Sequence, residues 1–453
     1  MMYLLNEYGW IVNVQYNDNG MLFLPIDVNI YTPKYWGFRS KGIEVNKLRA
    51  IKQINIMIYK VFLLLLLLPS IAFSDDFFTN PRWDGYISQS IIYTSDNNFF
   101  GDSDDDINLD YTEIELLFST AFLRDFQFSG SLLSRRAGDT DNGRIRLDHG
   151  FITYTAFNNV DWTLGARAGR IKAPQGFYNE TRDVAFTRPG ILVPQSIYLE
   201  RYRDWMFSAD GIEFFTMRNW DASSLSFRLL MSNKDPKRKV FEELIGFDGY
   251  PIGDVKDGKS GLAKLLYDYN TGRLRLGLTY GYLAYDVDNT EFGGFPDSEI
   301  STKAVFISAE YNTDKWKFVG EYVPTKNHVK NLLATLPDQK TDGLSYYLQS
   351  TYRINPSWDM MLRRGVLYLN KDDKTGARFE ADNPLLGIPG HTRYAKNWVL
   401  GFGWHFSDSL LFRIEYYDVE GTGWMPNKDI RRSSETSLHK NWEMVMFQTS
   451  YRF

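Results

Sequence analysis

The 453-residue sequence contains no cysteine and only five histidines. The absence of cysteine excludes a disulfide framework and any zinc site built on thiolates. The sequence also lacks an HExxH pair, a nucleophile elbow, a phosphate-binding loop and a dinucleotide fingerprint. A formal net charge of −5 argues against nucleic acid as a partner. We therefore predict a protein that is not an enzyme and has no metal or cofactor site.

Long apolar runs are almost absent, and the one exception lies well inside the chain. A short basic segment at 57–60 precedes Val61, Phe62 and six consecutive leucines, and the run ends in small residues at Ala72 and Ser74. This order predicts a secretory signal peptide over 57–74, cleaved before Asp75. The alternative is a membrane anchor, but the run is shorter than the roughly 20 residues that a membrane helix requires.

The position of this segment bears on where the protein begins. A signal peptide should start a chain, so we predict that Met57 is the initiator and that residues 1–56 are a mis-called upstream extension. The alternative is a genuine N-terminal extension. Sequencing a mature protein that begins at Asp75 would support the first interpretation, and recovery of any part of 1–56 would contradict it.

Aromatic residues make up 16% of the chain, although its mean hydropathy is only −0.35. That combination is typical of a membrane barrel, which has an apolar outer face with aromatic girdles and a polar lumen. The segment 273–282 shows the corresponding alternation, with Leu274, Leu276 and Leu278 on one face and Arg273 and Arg275 on the other. No stretch of 75–453 has the pattern of a capped amphipathic helix.

The pattern predicts about sixteen strands, with short turns alternating with long loops. The candidate strands lie near 84–95, 110–121, 124–135, 147–157, 160–172, 203–217, 224–232, 259–269, 272–286, 301–312, 315–323, 342–353, 357–369, 395–406, 409–420 and 441–453. Short periplasmic turns and long extracellular loops are typical of outer-membrane barrels. The fold prediction is therefore an all-β, transmembrane antiparallel β-barrel over 75–453.

The last strand carries a second signal. Phe447, Thr449, Tyr451 and the terminal Phe453 share one face of this segment. The segment resembles the C-terminal assembly signal of outer-membrane barrel proteins. This resemblance implies recognition of Tyr451 and Phe453 by the barrel-assembly machinery.

The longest predicted loop is the third, near 173–202. In strand count, in the place of this loop and in the closing Phe453, residues 75–453 resemble the general porins of Gram-negative bacteria. The resemblance is one of architecture, because the mixed charges of the loop do not match the acidic third-loop motif of enteric porins. It implies a cell outer-membrane location, contact with lipid and lipopolysaccharide, a homotrimer, and a third loop that narrows the lumen.

Four charged residues of the third loop are candidates for the constriction: Glu180, Arg182, Asp183 and Arg188. Opposed charges in a narrow lumen create a transverse field and set ion selectivity. The alternative is that these residues pair with each other to fix the loop. A charge on the lipid face of the barrel would cost about 2–4 kcal/mol. We therefore expect the charged residues of the wall to face the lumen, namely Arg167, Arg275, Arg353, Arg363, Arg413, Glu113 and Glu115.

These features together favour a porin that passes small hydrophilic solutes or ions passively. A substrate-selective channel, for example for anions such as phosphate, is the alternative within transport. A non-conducting barrel that acts as an adhesin or surface protein is the alternative from another class. The acidic run from Asp102 to Asp106 lacks the spacing of a calcium-binding loop and is interpreted as a solvated charge run.

Overall fold

The chain divides into two units, residues 1–71 and 72–453. In the first unit the computed structural model describes three short strands, and in the second it describes residues 78–453 without 204–207, 234–253, 289–296, 332–337, 385–386 and 435–437. The three strands are β1 (Met2–Leu5), β2 (Ile11–Tyr16) and β3 (Leu22–Phe23), paired antiparallel in that order. The predicted signal peptide at 57–74 lies outside the described residues, so that assignment stays a prediction.

The second unit is a closed barrel of sixteen strands. Each strand pairs antiparallel with its sequence neighbours, and the last strand returns to pair with the first. The barrel strands are β4 (Phe78–Thr94), β5 (Asn108–Phe122), β6 (Phe126–Ala137), β7 (Asp141–Asn158), β8 (Trp162–Lys172), β9 (Ser208–Trp220), β10 (Ser223–Asn233), β11 (Asp254–Tyr269), β12 (Leu274–Asp288), β13 (Ser298–Asn312), β14 (Trp316–Lys330), β15 (Gln339–Asn355), β16 (Trp358–Tyr368), β17 (Tyr394–His405), β18 (Leu410–Glu420) and β19 (Asn441–Arg452). The predicted all-β barrel with about sixteen strands is confirmed.

The outer face of the barrel is apolar because successive strand residues point to opposite sides of the sheet. Leu276, Leu278 and Tyr280 on β12 are 45–49% exposed, and Trp398 and Leu400 on β17 are similarly exposed. A surface that exposes so many large apolar side chains is suited to lipid and not to water. Near the short turns, aromatic side chains stack in pairs such as Trp358 with Trp404, whose ring centroids are 5.3 Å apart, as in an interfacial girdle.

The barrel closes through its last residue. The Phe453 N–H donates to the Gly85 carbonyl at 3.0 Å, and the Gly85 N–H donates to the Phe453 carbonyl at 2.9 Å. The Phe453 ring lies over Gly85 so closely that a Cβ there would be 2.2 Å from the ring. The terminal aromatic residue and a glycine on β4 therefore form one end of the seam.

Several predicted boundaries are wrong. The predicted long loop at 136–146 is a tight turn at 138–140, because β7 begins at Asp141. Strands β4 and β11 begin at Phe78 and Asp254, earlier than predicted, and β14 continues to Lys330 and not to residue 323. Residue 203 ends the short 3-10 segment at Glu200–Tyr202 and is not in a strand, since β9 begins at Ser208. At the end of β14 most residues are polar, so no apolar alternation marks the strand there.

An apolar cluster fills the interior near the long loops. It joins Phe99 and Phe100 of the first long loop, Trp424 of the last, and Trp442 and Met444 of β19. The two loops are also linked by a carboxylate, because Asp429 of helix α2 (Asn427–Ser434) accepts the N–H groups of Phe100 and Gly101 at 2.9 and 3.2 Å. Among the residues that the structure describes, neither α2 nor helix α1 (Ala377–Asp382) nor any other helix is long and apolar enough to span a membrane.

Candidate pore constriction

The third loop, residues 173–203 and hereafter L3, lies inside the barrel. It leaves β8 at Lys172 and contains one short 3-10 turn at Glu200–Tyr202. Its hydrogen bonds and ion pairs reach wall strands on opposite sides of the lumen, namely β5, β6, β8, β10, β11, β14, β15, β16, β18 and β19. L3 therefore crosses the lumen and is attached around most of its circumference.

Arg188 attaches L3 to two strands of the wall. Its guanidinium donates to Glu113 Oε2 at 2.7 Å, to the Tyr111 hydroxyl at 3.3 Å and to Gln448 Oε1 at 3.2 Å. Its side chain is only 2% exposed. Because Glu113 belongs to β5 and Gln448 to β19, Arg188 fixes L3 across the seam side of the barrel.

Arg182 and Asp183 are equally buried but bind different partners. Arg182 donates to Glu200 Oε1 at 2.5 Å, and Arg135 of β6 binds the other oxygen of Glu200 at 2.7 Å. Asp183 pairs with Lys172 Nζ at 2.9 Å and with Arg203. The ion pairs that the structure gives for these residues thus run to the wall and to the end of L3.

Glu180 occupies a more open position than the other three candidates. Its carboxylate pairs with Arg228 at 2.5 Å and with Lys264 at 3.4 Å, and 31% of its side chain is exposed. Burial alone would raise the pKa of Glu180, but the charges of Arg228 and Lys264 hold this pKa below its ordinary value. Arg228 also binds Glu213, which pairs with Arg167 at 2.9 Å.

A buried carboxylate holds the start of L3 against β14. Glu321 accepts hydrogen bonds from the Tyr198 hydroxyl at 2.6 Å, the Tyr347 hydroxyl at 3.0 Å and the Phe177 N–H at 3.0 Å. Gly176 has a φ of +51°, and a Cβ there would lie 2.3 Å from the Tyr198 hydroxyl. A glycine is required at this position both by the backbone conformation and by the lack of space.

The structure places the wall charges named from the sequence on the inner face. Arg363 donates to the Leu192 carbonyl, Arg413 to the Ala185 and Gly190 carbonyls, and Arg275 lies over the Phe177 ring at 5.0 Å. Glu113, Arg275, Arg363 and Arg413 therefore contact L3, and Arg167 is linked to Glu180 of L3 through Glu213 and Arg228. Arg353 donates to the Thr313 and Asp314 carbonyls of a short turn. Glu115 lies beside Asp148.

Several residues that hold L3 in place were not predicted. They are Glu200 of L3 itself and the wall residues Arg135, Lys172, Arg228, Lys264 and Glu321. A usable signal existed for Arg228 and Lys264, because each is the one charge in a short apolar segment, 225–231 and 261–267, and is expected to face the lumen. No sequence signal connects Glu200 with Arg135, since only the closed barrel brings residues 65 positions apart together.

Among the described residues, a group of partly exposed charges lies along β8–β15. Arg167, Arg275 and Lys317 have side chains 28–31% exposed, like Glu180, whereas the L3 contacts with β5, β6 and β16 are buried. At the short-turn end the same side opens into a cavity of about 910 Å³ lined by Asp268, Arg275, Glu310, Lys317 and Arg353. Water therefore has access to the lumen along β8–β15.

Comparison with known proteins gives structural matches but no sequence matches. No protein-family model matches the chain, and a search of curated proteins finds no similar sequence. OprB of Pseudomonas putida superposes with a TM-score of 0.52 at 12% identity, over 82% of this chain and 94% of that one. An anion-selective porin from Comamonas acidovorans gives 0.51 at 13%, over 83% and 99%, and the channel DcaP of Acinetobacter baumannii gives 0.51 at 12%, over 84% and 99%.

The chain has the outer-membrane porin fold. The closed barrel, its apolar outer belt and the inward third loop agree with these matches, so the predicted general-porin-like architecture is confirmed. At identities of 12–13%, the likeness extends to the fold alone. The charges of this porin-fold barrel therefore have to be interpreted from its own contacts.

Proposed function

We propose that the protein is a passive channel for small hydrophilic solutes or ions across the outer membrane. The supporting observation is that L3 lies within a closed barrel and leaves a band of partly exposed charges along β8–β15. A solute that follows this band passes Glu180 on L3 and Arg167, Arg228 and Arg275 on the wall. The proposed constriction therefore includes Glu180, whereas Arg182, Asp183 and Arg188 act by holding L3 in place.

The arrangement of charge supports this proposal in physical terms. Glu180 faces Arg228 and Lys264, so a carboxylate on the loop opposes cations on the wall. Such a transverse field orders water and favours polar solutes over apolar ones. The field persists at neutral pH because the low pKa of Glu180 keeps the carboxylate ionised.

A selective anion channel is the second candidate. Arg167, Arg275, Lys317 and Arg353 are partly or fully exposed along the proposed path, where the partly exposed carboxylates include Glu180 and Asp268. Cations that line a pore favour anions. A reversal potential measured in a salt gradient separates the two candidates, because anion selectivity displaces it towards the chloride equilibrium potential.

The proposal extends to assembly. We expect a homotrimer in the outer membrane, surrounded by lipid and lipopolysaccharide and inserted by the barrel-assembly machinery through Tyr451 and Phe453. Both residues are exposed on the outer face of the barrel. Cross-linking of the purified protein in detergent should give a trimeric band, and a monomer alone would remove the trimer from the proposal.

A liposome-swelling assay tests the solute range. Proteoliposomes with the folded protein should swell in neutral sugars, at rates that fall steeply with sugar size because L3 occupies most of the lumen. Deletion of residues 177–197 should weaken this dependence on size. If neither protein permits swelling although both are folded and inserted, a non-conducting surface protein becomes the better interpretation.

A further inference from the structure

Three metal-ligating side chains meet on the inner wall at a place that the channel function does not use. They are Glu115 of β5 and Asp148 and His149 of β7, and one ligand atom from each lies within 4.8 Å of the others. The register of β6 with β7 shifts here, because Ser131 pairs with His149 whereas Leu132 pairs with Leu147. Asp148 is the extra residue of this bulge, which brings two consecutive side chains to one face.

Glu115 gives an independent indication of a missing ligand. Its side chain is almost completely buried, with 1% of the residue exposed, and neither carboxylate oxygen has a hydrogen-bond partner in the described part of the barrel. A buried carboxylate without partners is costly, and such groups in proteins are usually paired or coordinate a metal. The nearby Ser131 hydroxyl is engaged with His149 Nδ1 at 2.9 Å.

We propose that Glu115, Asp148 and His149 bind a divalent transition-metal ion, with zinc as the best probe. One imidazole nitrogen and two carboxylate oxygens form a donor set that zinc accepts, with water completing the coordination. Bonds of about 2.0–2.2 Å at tetrahedral angles place ligand atoms roughly 3.3–3.6 Å apart. The three ligand atoms, now within 4.8 Å of one another, would therefore have to move together through side-chain rotation.

Lys172 competes with the metal ion for Asp148. Its ammonium lies 2.7 Å from Asp148 Oδ2 and 2.9 Å from Asp183 Oδ2. When Asp148 binds the metal, Lys172 keeps its pairing with Asp183 in L3. An adjoining cavity of about 100 Å³ leaves room beside Asp148, and its charged lining residues are Arg146, Asp148, Arg170, Lys172, Arg182, Asp183 and Arg203. The neighbouring cations weaken binding, so removal of the Lys172 charge should strengthen it.

Isothermal titration of the folded, tag-free protein with zinc chloride alone at pH 7 tests the proposal. We expect one site per chain. Glu115→Gln and His149→Gln should each lower its affinity at least about tenfold, and Lys172→Met should raise it several-fold. The heat-dependent gel mobility of the barrel shows whether each variant folds, and His149→Gln carries the test alone if Glu115→Gln does not fold.

The matched control is His405→Gln. His405 Nε2 lies 2.8 Å from Asp359 Oδ2, so this pair is a second histidine with a carboxylate on the inner wall. It should leave the zinc affinity unchanged. The proposal is overturned if the wild-type protein shows no site at micromolar zinc, if the affinity is the same in the folded Glu115→Gln and His149→Gln variants, or if His405→Gln abolishes binding.

Discussion

Replacement of Arg188 by methionine tests how firmly L3 is held. The substitution removes the hydrogen bonds to Glu113, Tyr111 and Gln448 and keeps a long apolar stem. It leaves Glu113 buried, although Arg135 Nε remains 3.4 Å from Glu113 Oε1. The substitution therefore perturbs only the contact between L3 and the barrel wall at β5 and β19.

The expected cost follows from the burial of both partners. Loss of one member of a buried ion pair typically costs about 3–5 kcal/mol, because the other charge is left without compensation. The remaining contact with Arg135 places Arg188→Met near the lower end of that range. About 3 kcal/mol corresponds to a shift of roughly a hundredfold in the equilibrium between docked and released L3.

Two measurements check this value. Hydrogen exchange of the peptide that covers 182–192 should lose protection by about a hundredfold, and single-channel records should show a larger or more fluctuating conductance. The additional substitution Glu113→Gln should recover part of the loss, since it removes the stranded carboxylate. Arg353→Met is the control for the hydrogen exchange of 182–192, because Arg353 binds carbonyls of a short turn.

Unchanged exchange and conductance in Arg188→Met would contradict the assignment of Arg188 as an anchor of L3. The conductance and reversal potential of Arg182→Ala and Arg188→Ala show whether these arginines influence the pore at all. If both variants keep the wild-type conductance and reversal potential, neither residue influences the pore.

Three further predictions concern L3 and the seam. The pKa of Glu180 is lowered in the folded protein, so the Glu180 carboxylate should contribute fully to L3 docking above about pH 4.3. This contribution should be lost as the pH falls through the lowered pKa. Hydrogen exchange of L3 measured against pH should show the loss in the wild-type protein but not in Glu180→Gln. Gly176→Ala should destabilise L3 by about 1–3 kcal/mol, because alanine is strained at a φ of +51° and meets Tyr198; unaltered exchange at 175–180 would contradict this. Gly85→Val should lower the yield of heat-modifiable barrel, because its side chain meets the Phe453 ring, whereas Gly261→Val, where little lies near the added Cβ, should not.

Much of the barrel is predictable because lipid and lumen impose opposite demands on alternate residues. The segment 272–286 was predicted as a strand and is observed as Leu274–Asp288. The alternation no longer predicts a strand where the strand extends beyond the apolar belt, as at the end of β14, because both faces are then polar. The polar residues from Pro324 to Lys330 resemble a loop in composition but continue the ladder with β13 and β15.

The candidate site is less predictable because it depends on which distant residues meet. The alternation of side chains along a strand is sufficient to predict that Arg275 and Arg413 face the lumen, and the length of the loop is sufficient to identify L3. The partners of L3 depend on barrel closure and on the register of every strand between them. Arg188 and Gln448 are 260 positions apart and yet 3.2 Å from each other, and nothing local to either residue indicates this contact.

Planar-bilayer recording of the refolded protein tests the central claim most directly. The proposed channel predicts discrete conductance steps, small for a sixteen-stranded barrel because L3 crosses the lumen, and larger steps when residues 177–197 are deleted. Absence of steps from both proteins, with gel mobility showing that each is folded and inserted, would contradict the pore.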